Sequence, residues 1–289
     1  MGGTSVRTWG PAVVSPLVRD VLAGNGIVRQ VRHVGEVAST QDTVLELARA
    51  GAPTGTVVVA DVQRSGRGRS GNRWDDDPAG GGLALSLLLD AATPPLDASV
   101  VPLLPQALGL AVIDACASVG PDAAALRLKW PNDVVRRYAP HGPARKLAGV
   151  LIERDLPVRP AGGRALRDVL CCGIGMNVAL PAPLLPDRLD LATVLGAEPD
   201  RVGLLAALLR SIDRAIGMLA TPAPLLERLR SMSDTVGRDV RVRPPGGTTV
   251  VGRAVGIDDD GRLLVTASGR IHAILSGNVR DVDDEELAR

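Results

Sequence analysis

The chain has 289 residues, with 33 Lys plus Arg against 32 Asp plus Glu and a formal charge of +1. That balance excludes a whole-molecule field that would draw it onto nucleic acid or anionic lipid. A content of 45% hydrophobic and 22% charged residues is that of an ordinary globular protein, long enough for one large domain and one small one. Three cysteines (Cys116, Cys171, Cys172) and three histidines, with no Cys-x-x-Cys, give neither a disulfide framework nor zinc-site spacing. No run approaches the roughly 20 apolar residues of a membrane span. No basic segment followed by an apolar core opens the chain, so a reduced, cytoplasmic protein is expected.

Residues 1–30 read as a short Gly/Pro-punctuated segment with one helix around Val13–Leu22. From Val31 the pattern alternates. Val31–Val37 reads as a strand, Thr40–Ala50 as a helix closed by Gly51, and Thr56–Val62 as a β-branched strand. A basic Gly-rich loop follows over Arg64–Asp77, then the apolar strand Leu83–Leu89. Pro105–Val119 has helical periodicity, with Cys116 as a packing residue. Leu126–Trp130, Gly149–Glu153 and Asp168–Cys172 are strand-like, and adjacent Cys171 and Cys172 then point to opposite faces. Arg136–Arg145 reads as a solvated loop. Arg201–Leu219, capped by Asp200, and Pro224–Met232 are helices. Residues 31–233 therefore form the main domain.

Past Asp234 the elements shorten. Asp239–Arg243, Thr248–Asp258, Arg262–Ala267 and Arg270–Leu275 read as strands, with Asp260-Gly261 as a hairpin turn. Residues 234–289 form a small β-barrel of about 55 residues, a size at which a domain is only marginally stable alone, so it leans on the main domain.

Only two lysines occur, Lys129 and Lys146; every other cationic position is arginine. A compact ammonium on a flexible stem reaches a reacting carboxylate or phosphate as a point charge, where a planar guanidinium does not fit. Lys129 opens Lys129-Trp130-Pro131-Asn132-Asp133, and Lys146 opens Lys146-Leu147-Ala148-Gly149. Asp133 is a candidate Mg²⁺ ligand between phosphates, although Asn132-Asp133 reads equally as an Asx turn. The segment Gln63-Arg64-Ser65-Gly66-Arg67-Gly68-Arg69-Ser70-Gly71-Asn72-Arg73-Trp74 interleaves three glycines with four arginines, and so lets backbone N–H groups approach an anion while guanidiniums neutralise it. It is neither a Walker A loop nor a dinucleotide fingerprint. Alone, it reads equally as a flexible RNA-binding segment or a solvated turn. Trp74 at its end can cover an aromatic base. Trp130, alternating with Leu126 and Leu128, reads as the inward face of a strand. Gly173-Ile174-Gly175-Met176-Asn177 reads as a strand end with a polar tip, or simply a tight turn.

Taken in order, Ser39-Thr40, Gln63 with Gly66–Trp74, Lys129–Asp133, Lys146–Gly149 and Gly173–Asn177 closely resemble the biotin protein ligases, also called biotin–[acetyl-CoA-carboxylase] ligases. The resemblance covers residues 31–180 most strongly. It implies an α+β fold, with a mixed-sheet catalytic domain related to class II aminoacyl-tRNA synthetases and a C-terminal SH3-like β-barrel. It implies joining of biotin to ATP with Mg²⁺, giving biotinyl-5′-AMP, and then transfer to a lysine of a carrier domain of acyl-CoA or pyruvate carboxylases. By resemblance, Ser39, Thr40, Gln41 and Gln63 hold biotin. Arg67, Gly68 and Arg69 wrap its tail and the phosphate, and Lys146 beside Gly149 meets the biotin carboxylate. Lys129, Asn132 and Asp133 lie on the ATP side, Asn177 near the adenine, and Trp74 stacks on it. Asn72 stands where many relatives carry Arg, and Arg73 is placed to supply that charge by a small shift.

Two other readings differ in class. A ligase that also represses transcription needs a DNA-reading domain, for which the residues before Val31 are too few. A lipoate ligase or octanoyl transferase shares the catalytic fold. The transferase, however, needs a nucleophilic cysteine near a lysine, and Cys171 and Cys172 sit in an apolar strand.

Overall fold

The computed structural model describes residues 7–74, 79–92, 96, 98–158, 167–183 and 185–282. Asp75–Asp77, the end of the expected basic loop, lie outside the described residues, as do the two chain ends at 1–6 and 283–289.

The N-terminal helix expected around Val13–Leu22 is two helices, α1 (Gly10–Val13) and α2 (Pro16–Leu22). Ser15 Oγ accepts the Val18 N–H as an N-cap, and Pro16 takes the first helical position, where its missing N–H costs nothing. The main sheet is built from β1 (Gln30–Val37), β2 (Thr56–Gln63), β5 (Gly82–Asp90), β6 (Arg127–Lys129), β7 (Asp133–Arg136), β8 (Arg145–Val158) and β9 (Arg167–Asn177). Between them come α3 (Thr40–Arg49), the short hairpin of β3 (Gly66–Arg67) and β4 (Arg73–Trp74), and α4 (Leu104–Val119). After the sheet follow α5 (Leu191–Leu195), α6 (Arg201–Gly217) and α7 (Ala223–Ser231). The strand order is β1-β2-β5-β9-β8-β7-β6; β1 and β2 run parallel and every other pair is antiparallel, so the sheet is mixed as expected.

Strand alternation divides the sheet into two faces. Leu83, Leu85, Leu87 and Leu89 of β5, with Cys172, Ile174 and Met176 of β9, enter the large core beneath α4 and α6. Leu88 and Cys171 go to the opposite face, where Val44 and Ala48 of α3 cover them. Each such fully buried aliphatic side chain contributes roughly 1.5–3 kcal/mol. Against the expectation that no run approaches a membrane span, the segment Val101–Val119, which contains the expected helix Pro105–Val119, is long and apolar enough by composition to cross a membrane. Here it is the central core helix, most of it enclosed between α6 and the sheet.

The C-terminal sheet comprises β10 (Asp239–Arg243), β11 (Val250–Ile257), β12 (Leu263–Ala267), β13 (Arg270–Ile274) and β14 (Asn278–Asp281), all antiparallel, in the order β13-β12-β11-β10-β14. Its turn at Asp258–Gly261 closes with the Gly261 N–H on Asp258 O, and Gly261 takes φ +76°.

Two expectations change at the junction of the sheets. Leu126 and Leu128 enter the large core, but Trp130 is 2% exposed within the small one, and its indole N–H donates to Gly261 O at 3.0 Å. The strand pattern ends at Lys129, so Trp130 is released from the alternation and crosses to the second sheet. The Arg136–Arg145 stretch is not a solvated loop throughout. Arg136 and Arg145 pair as β7–β8 partners, and Arg137 is buried, with its guanidinium on Asp234 and Asp281. Burial pulls the Arg137 pKa down, but the Asp234 hydrogen bonds and the two carboxylate charges outweigh it and leave it raised.

Candidate functional site

The site lies on the α3 face of the sheet, where β8 and β9 run side by side. Gly173, Gly175 and Asn177 follow Cys171 on that face, so of the two readings the strand end with a polar tip holds and the tight turn does not. Gly149 pairs with Gly175, and Gly173 pairs with Ser86 on one side and Leu151 on the other. These glycines make a floor without side chains. A Cβ at Gly175 would lie 2.5 Å from the Trp74 ring, so the indole rests on bare backbone.

A β-bulge sets the position of Lys146. Val134 and Val135 of β7 pair with Ala148 and Lys146 of β8, leaving Leu147 as the extra residue. Leu147 and Ala148 both turn into the core, which brings Lys146 and Gly149 to the same face. The Lys146 ammonium then lies over Gly149, where a Cβ would approach Nζ to 2.9 Å. It is 2.7 Å from Asp133 Oδ1 and 5.5 Å from the Trp74 ring centroid.

Three adjoining cavities meet at this point. The first, about 460 Å³ counting its open side, is lined by Ser39, Thr40, Gln41, Gln63, Arg67, Gly68, Arg69 and Gly149. The second, about 640 Å³, is lined by Lys129, Asn132, Asp133, Arg69, Arg73 and, from the C-terminal region, Gly277 just before β14 with Asn278 and Val279 of β14. The third, about 500 Å³, is lined by Asn177, Arg73, Asp187 and Arg188. Lys146 and Trp74 line all three. The residues that the resemblance assigns to the biotin and ATP sides thus each line at least one of these three adjoining cavities.

The first cavity is organised by α3. Ser39 caps the helix by accepting the Gln41 N–H. Gln63 Oε1 accepts from the Thr40 N–H at 2.8 Å and the Thr40 hydroxyl at 3.0 Å, which also bonds the Ser86 hydroxyl at 2.7 Å. The Gln41 side-chain amide donates to Leu151 O at 3.3 Å, and its Oε1 is buried without a partner among the described residues. A buried acceptor with no donor is costly unless something supplies an N–H or O–H.

The loop cations do not all face the cavity. Arg67 donates to the carboxylates of Asp42 and Glu153, and its pKa is raised by the Asp42 hydrogen bond first and the Glu153 bond second. Arg69 is desolvated, which lowers its pKa against the charge of Asp133. It donates to Asn132 Oδ1 at 3.0 Å, Gly277 O at 3.3 Å and Ser276 Oγ at 2.5 Å. Asn132 holds the other side by donating to Val150 O at 2.8 Å. Asn177 donates to Leu189 O at 3.0 Å and Lys146 O at 3.3 Å, so it braces the strand that carries the lysine. Asn72 contributes backbone, its carbonyl accepting the Gly68 N–H, while Arg73 lines the second and third cavities.

Sequence reasoning missed Ser86, Asp42, Glu153 and the Ser276–Val279 edge. Ser86 carried a signal as the one polar residue inside the apolar run Leu83–Leu89. Among the described residues no group of three or more His, Cys, Asp or Glu stands ready for a metal. Asp133 alone suits an ion that arrives with phosphate oxygens, the usual mode for Mg²⁺.

Comparison with known proteins places this geometry. Residues 34–177 match the model of the biotin/lipoate A/B protein ligase family, and residues 235–280 match that of the biotin protein ligase C terminal domain. The biotin–[acetyl-CoA-carboxylase] ligase of Mycobacterium tuberculosis is 36% identical over 267 residues, which cover 91% of this chain and 93% of that protein. The bifunctional ligase/repressor BirA of Bacillus subtilis is 32% identical over 250 residues, covering 84% of this chain and 71% of that protein. Among solved structures, the biotin protein ligase of Aquifex aeolicus in complex with biotin and ATP superposes with a TM-score of 0.70 at 28% identity, covering 88% of this chain and all of that one. The Leishmania major biotin protein ligase in complex with biotinyl-5-AMP superposes at 0.59 with 26% identity, covering 88% and 99% of the two chains.

Proposed function

We propose that this chain, which belongs to the biotin protein ligases of the biotin/lipoate A/B protein ligase family, activates biotin with ATP and passes it to a lysine of a biotin carboxyl carrier domain. In the first step a biotin carboxylate oxygen attacks the α-phosphorus of ATP. The new P–O bond gives biotinyl-5′-AMP as the bond to pyrophosphate breaks. In the second, a neutral carrier-lysine amine attacks the acyl carbon, AMP leaves, and the amine proton is lost.

The observation that carries this reading is the position of Lys146 at the meeting of three cavities, with Trp74 beside it. Biotin takes the first cavity, the polyphosphate the second and the adenine the third. The carboxylate and the α-phosphate then meet at the Lys146 ammonium, which stabilises the charge gathering on the phosphoryl oxygens. Arg69 and Lys129 add fixed positive charge on the phosphate side. Asp133 would hold a Mg²⁺ arriving with ATP, which would supply further charge neutralisation there. The assembly provides no covalent nucleophile, and none is needed. Trp74, lying on Gly175 at the edge of the third cavity, is the aromatic ring assigned to stack on the adenine.

The unpartnered Gln41 Oε1 favours biotin over lipoate, because a ureido N–H can satisfy it and a dithiolane ring cannot. The test is exchange of labelled pyrophosphate into ATP with Mg²⁺, run with biotin, lipoate and octanoate in parallel. Exchange with biotin alone is expected. Exchange with lipoate instead would move the substrate assignment to the other branch of the family, and silence with all three would end the adenylation reading.

A further inference from the structure

Arg67 of the basic loop is held by four side-chain hydrogen bonds. Its Nη1 and Nη2 each donate to an Asp42 oxygen at 2.8 Å, and its Nε and Nη2 donate to Glu153 at 3.1 and 2.9 Å. Those bonds use four of the roughly five N–H donors that a guanidinium has. Two carboxylates around one guanidinium leave a local excess of negative charge, so this spot does not attract a biotin carboxylate or a phosphate. Asp42 lies in the first turn of α3, where it could have completed a capping box with Ser39, yet it faces Arg67. Glu153 stands on β8, on the same face as Gly149 and Leu151. Arg67 therefore fastens the hairpin to both walls of the first cavity, while Arg69 fastens its tip to Asn132 and to Ser276 and Gly277 of the turn between β13 and β14.

We propose that Asp42 and Glu153 are positioning residues for the loop: they take up the charge of Arg67 and turn it into a clamp that holds the β3–β4 hairpin over the biotin cavity. The cations that meet the reacting anions are then Arg69, Lys129 and Lys146. The assignment of the cavity to biotin rests on the function proposed above; the clamp itself rests on the ion pairs. Biotin entry and escape of the mixed anhydride then require the Arg67 pairs to open.

The double variant Asp42→Asn with Glu153→Gln keeps shape and acceptors but removes the charge, and both sites are exposed enough for the fold to survive, as a circular dichroism melt checks. Two readouts are needed. Limited trypsin digestion with mass mapping follows cutting after Arg64, Arg67, Arg69 and Arg73. Biotin-dependent pyrophosphate exchange gives KM and kcat. The variant should be cut about tenfold faster within the hairpin, and its KM for biotin should rise about tenfold with kcat kept within about twofold. Raising salt to about 0.5 M should move the wild type in the same direction. Unchanged cutting would overturn the clamp, and so would a fall in kcat at constant KM, which would put Arg67 on the reacting phosphate. If the wild-type chain shows no exchange with biotin, it is the functional reading that fails, and the digestion still decides whether the clamp exists.

Discussion

Lys146 Nζ and Asp133 Oδ1 lie 2.7 Å apart across the β7–β8 pairing, directly beside the bulge at Leu147. Both side chains are partly exposed, so the pair adds little to stability and matters for where the ammonium points. Lys146→Arg keeps the charge but spreads it over a planar fork that cannot sit above Gly149. Biotin-dependent pyrophosphate exchange should fall by about two to three orders of magnitude, as for loss of one transition-state donor, with the melting temperature unchanged. Near-wild-type exchange in this variant would remove the lysine from the chemistry.

Gly149→Ala tests the same geometry without touching a charge. The added methyl would lie 2.9 Å from Nζ and 3.3 Å from Asp133 Oδ1. The end of a flexible side chain yields before backbone does, so the fold should hold while the ammonium shifts by about 1 Å. A displacement of that size costs up to about a hundredfold in rate. Parallel melting and exchange measurements decide it: a large loss of stability with unimpaired specific activity would contradict this account.

Much of this site was legible because composition exposed it. In a chain that uses arginine almost everywhere, two retained lysines pointed to Lys129 and Lys146 before any motif was considered. Strand and helix positions were legible wherever periodicity was clean, as in β1, β5 and β10. The bulge at Leu147 was not, because Leu147-Ala148 reads as ordinary alternation and only the pairing with β7 reveals the extra residue. The long-range partners were also hidden. Glu153 meets Arg67 across 86 positions and Ser276 meets Arg69 across 207, and no local pattern specifies such contacts. Trp130 misled for a related reason, since alternation cannot say where a strand ends.

The three cysteines give a prediction about pH. Burial holds the Cys116 thiol up at about 12 against an ordinary value of 9.0, and burial, then the charge of Cys171, raises Cys172 as well. All three are buried, so native labelling by a thiol reagent should stay slow and nearly flat between about pH 7 and 9, with full reaction only after denaturation. The linkage has a definite sign. Above the ordinary thiol range the unfolded chain loses these protons while the folded chain keeps them, so the folded state binds more protons and stability falls as pH rises from about 9 towards 12. Rapid native labelling at neutral pH would show an accessible thiolate instead.

Arg137 joins the two sheets, and its loss should register in stability more than in catalysis. Its side chain is 7% exposed and that of Asp234 is 5% exposed, with N–O distances of 2.8–3.0 Å, a 2.7 Å contact to Asp281 and a further bond to Gly142 O. Arg137→Ala leaves the Asp234 carboxylate buried, with Arg238 at 3.5 Å as its remaining ion-pair partner. Removing one member of a buried pair costs about 3–5 kcal/mol, and Arg238 should hold the loss near the lower figure. The urea midpoint should drop accordingly. Arg137 borders none of the three cavities, so the KM for biotin should stay within about twofold at temperatures where the variant remains folded. If instead the stability held and the KM for ATP rose, the junction would be acting through the Gly277–Val279 edge of the second cavity rather than as a structural tie.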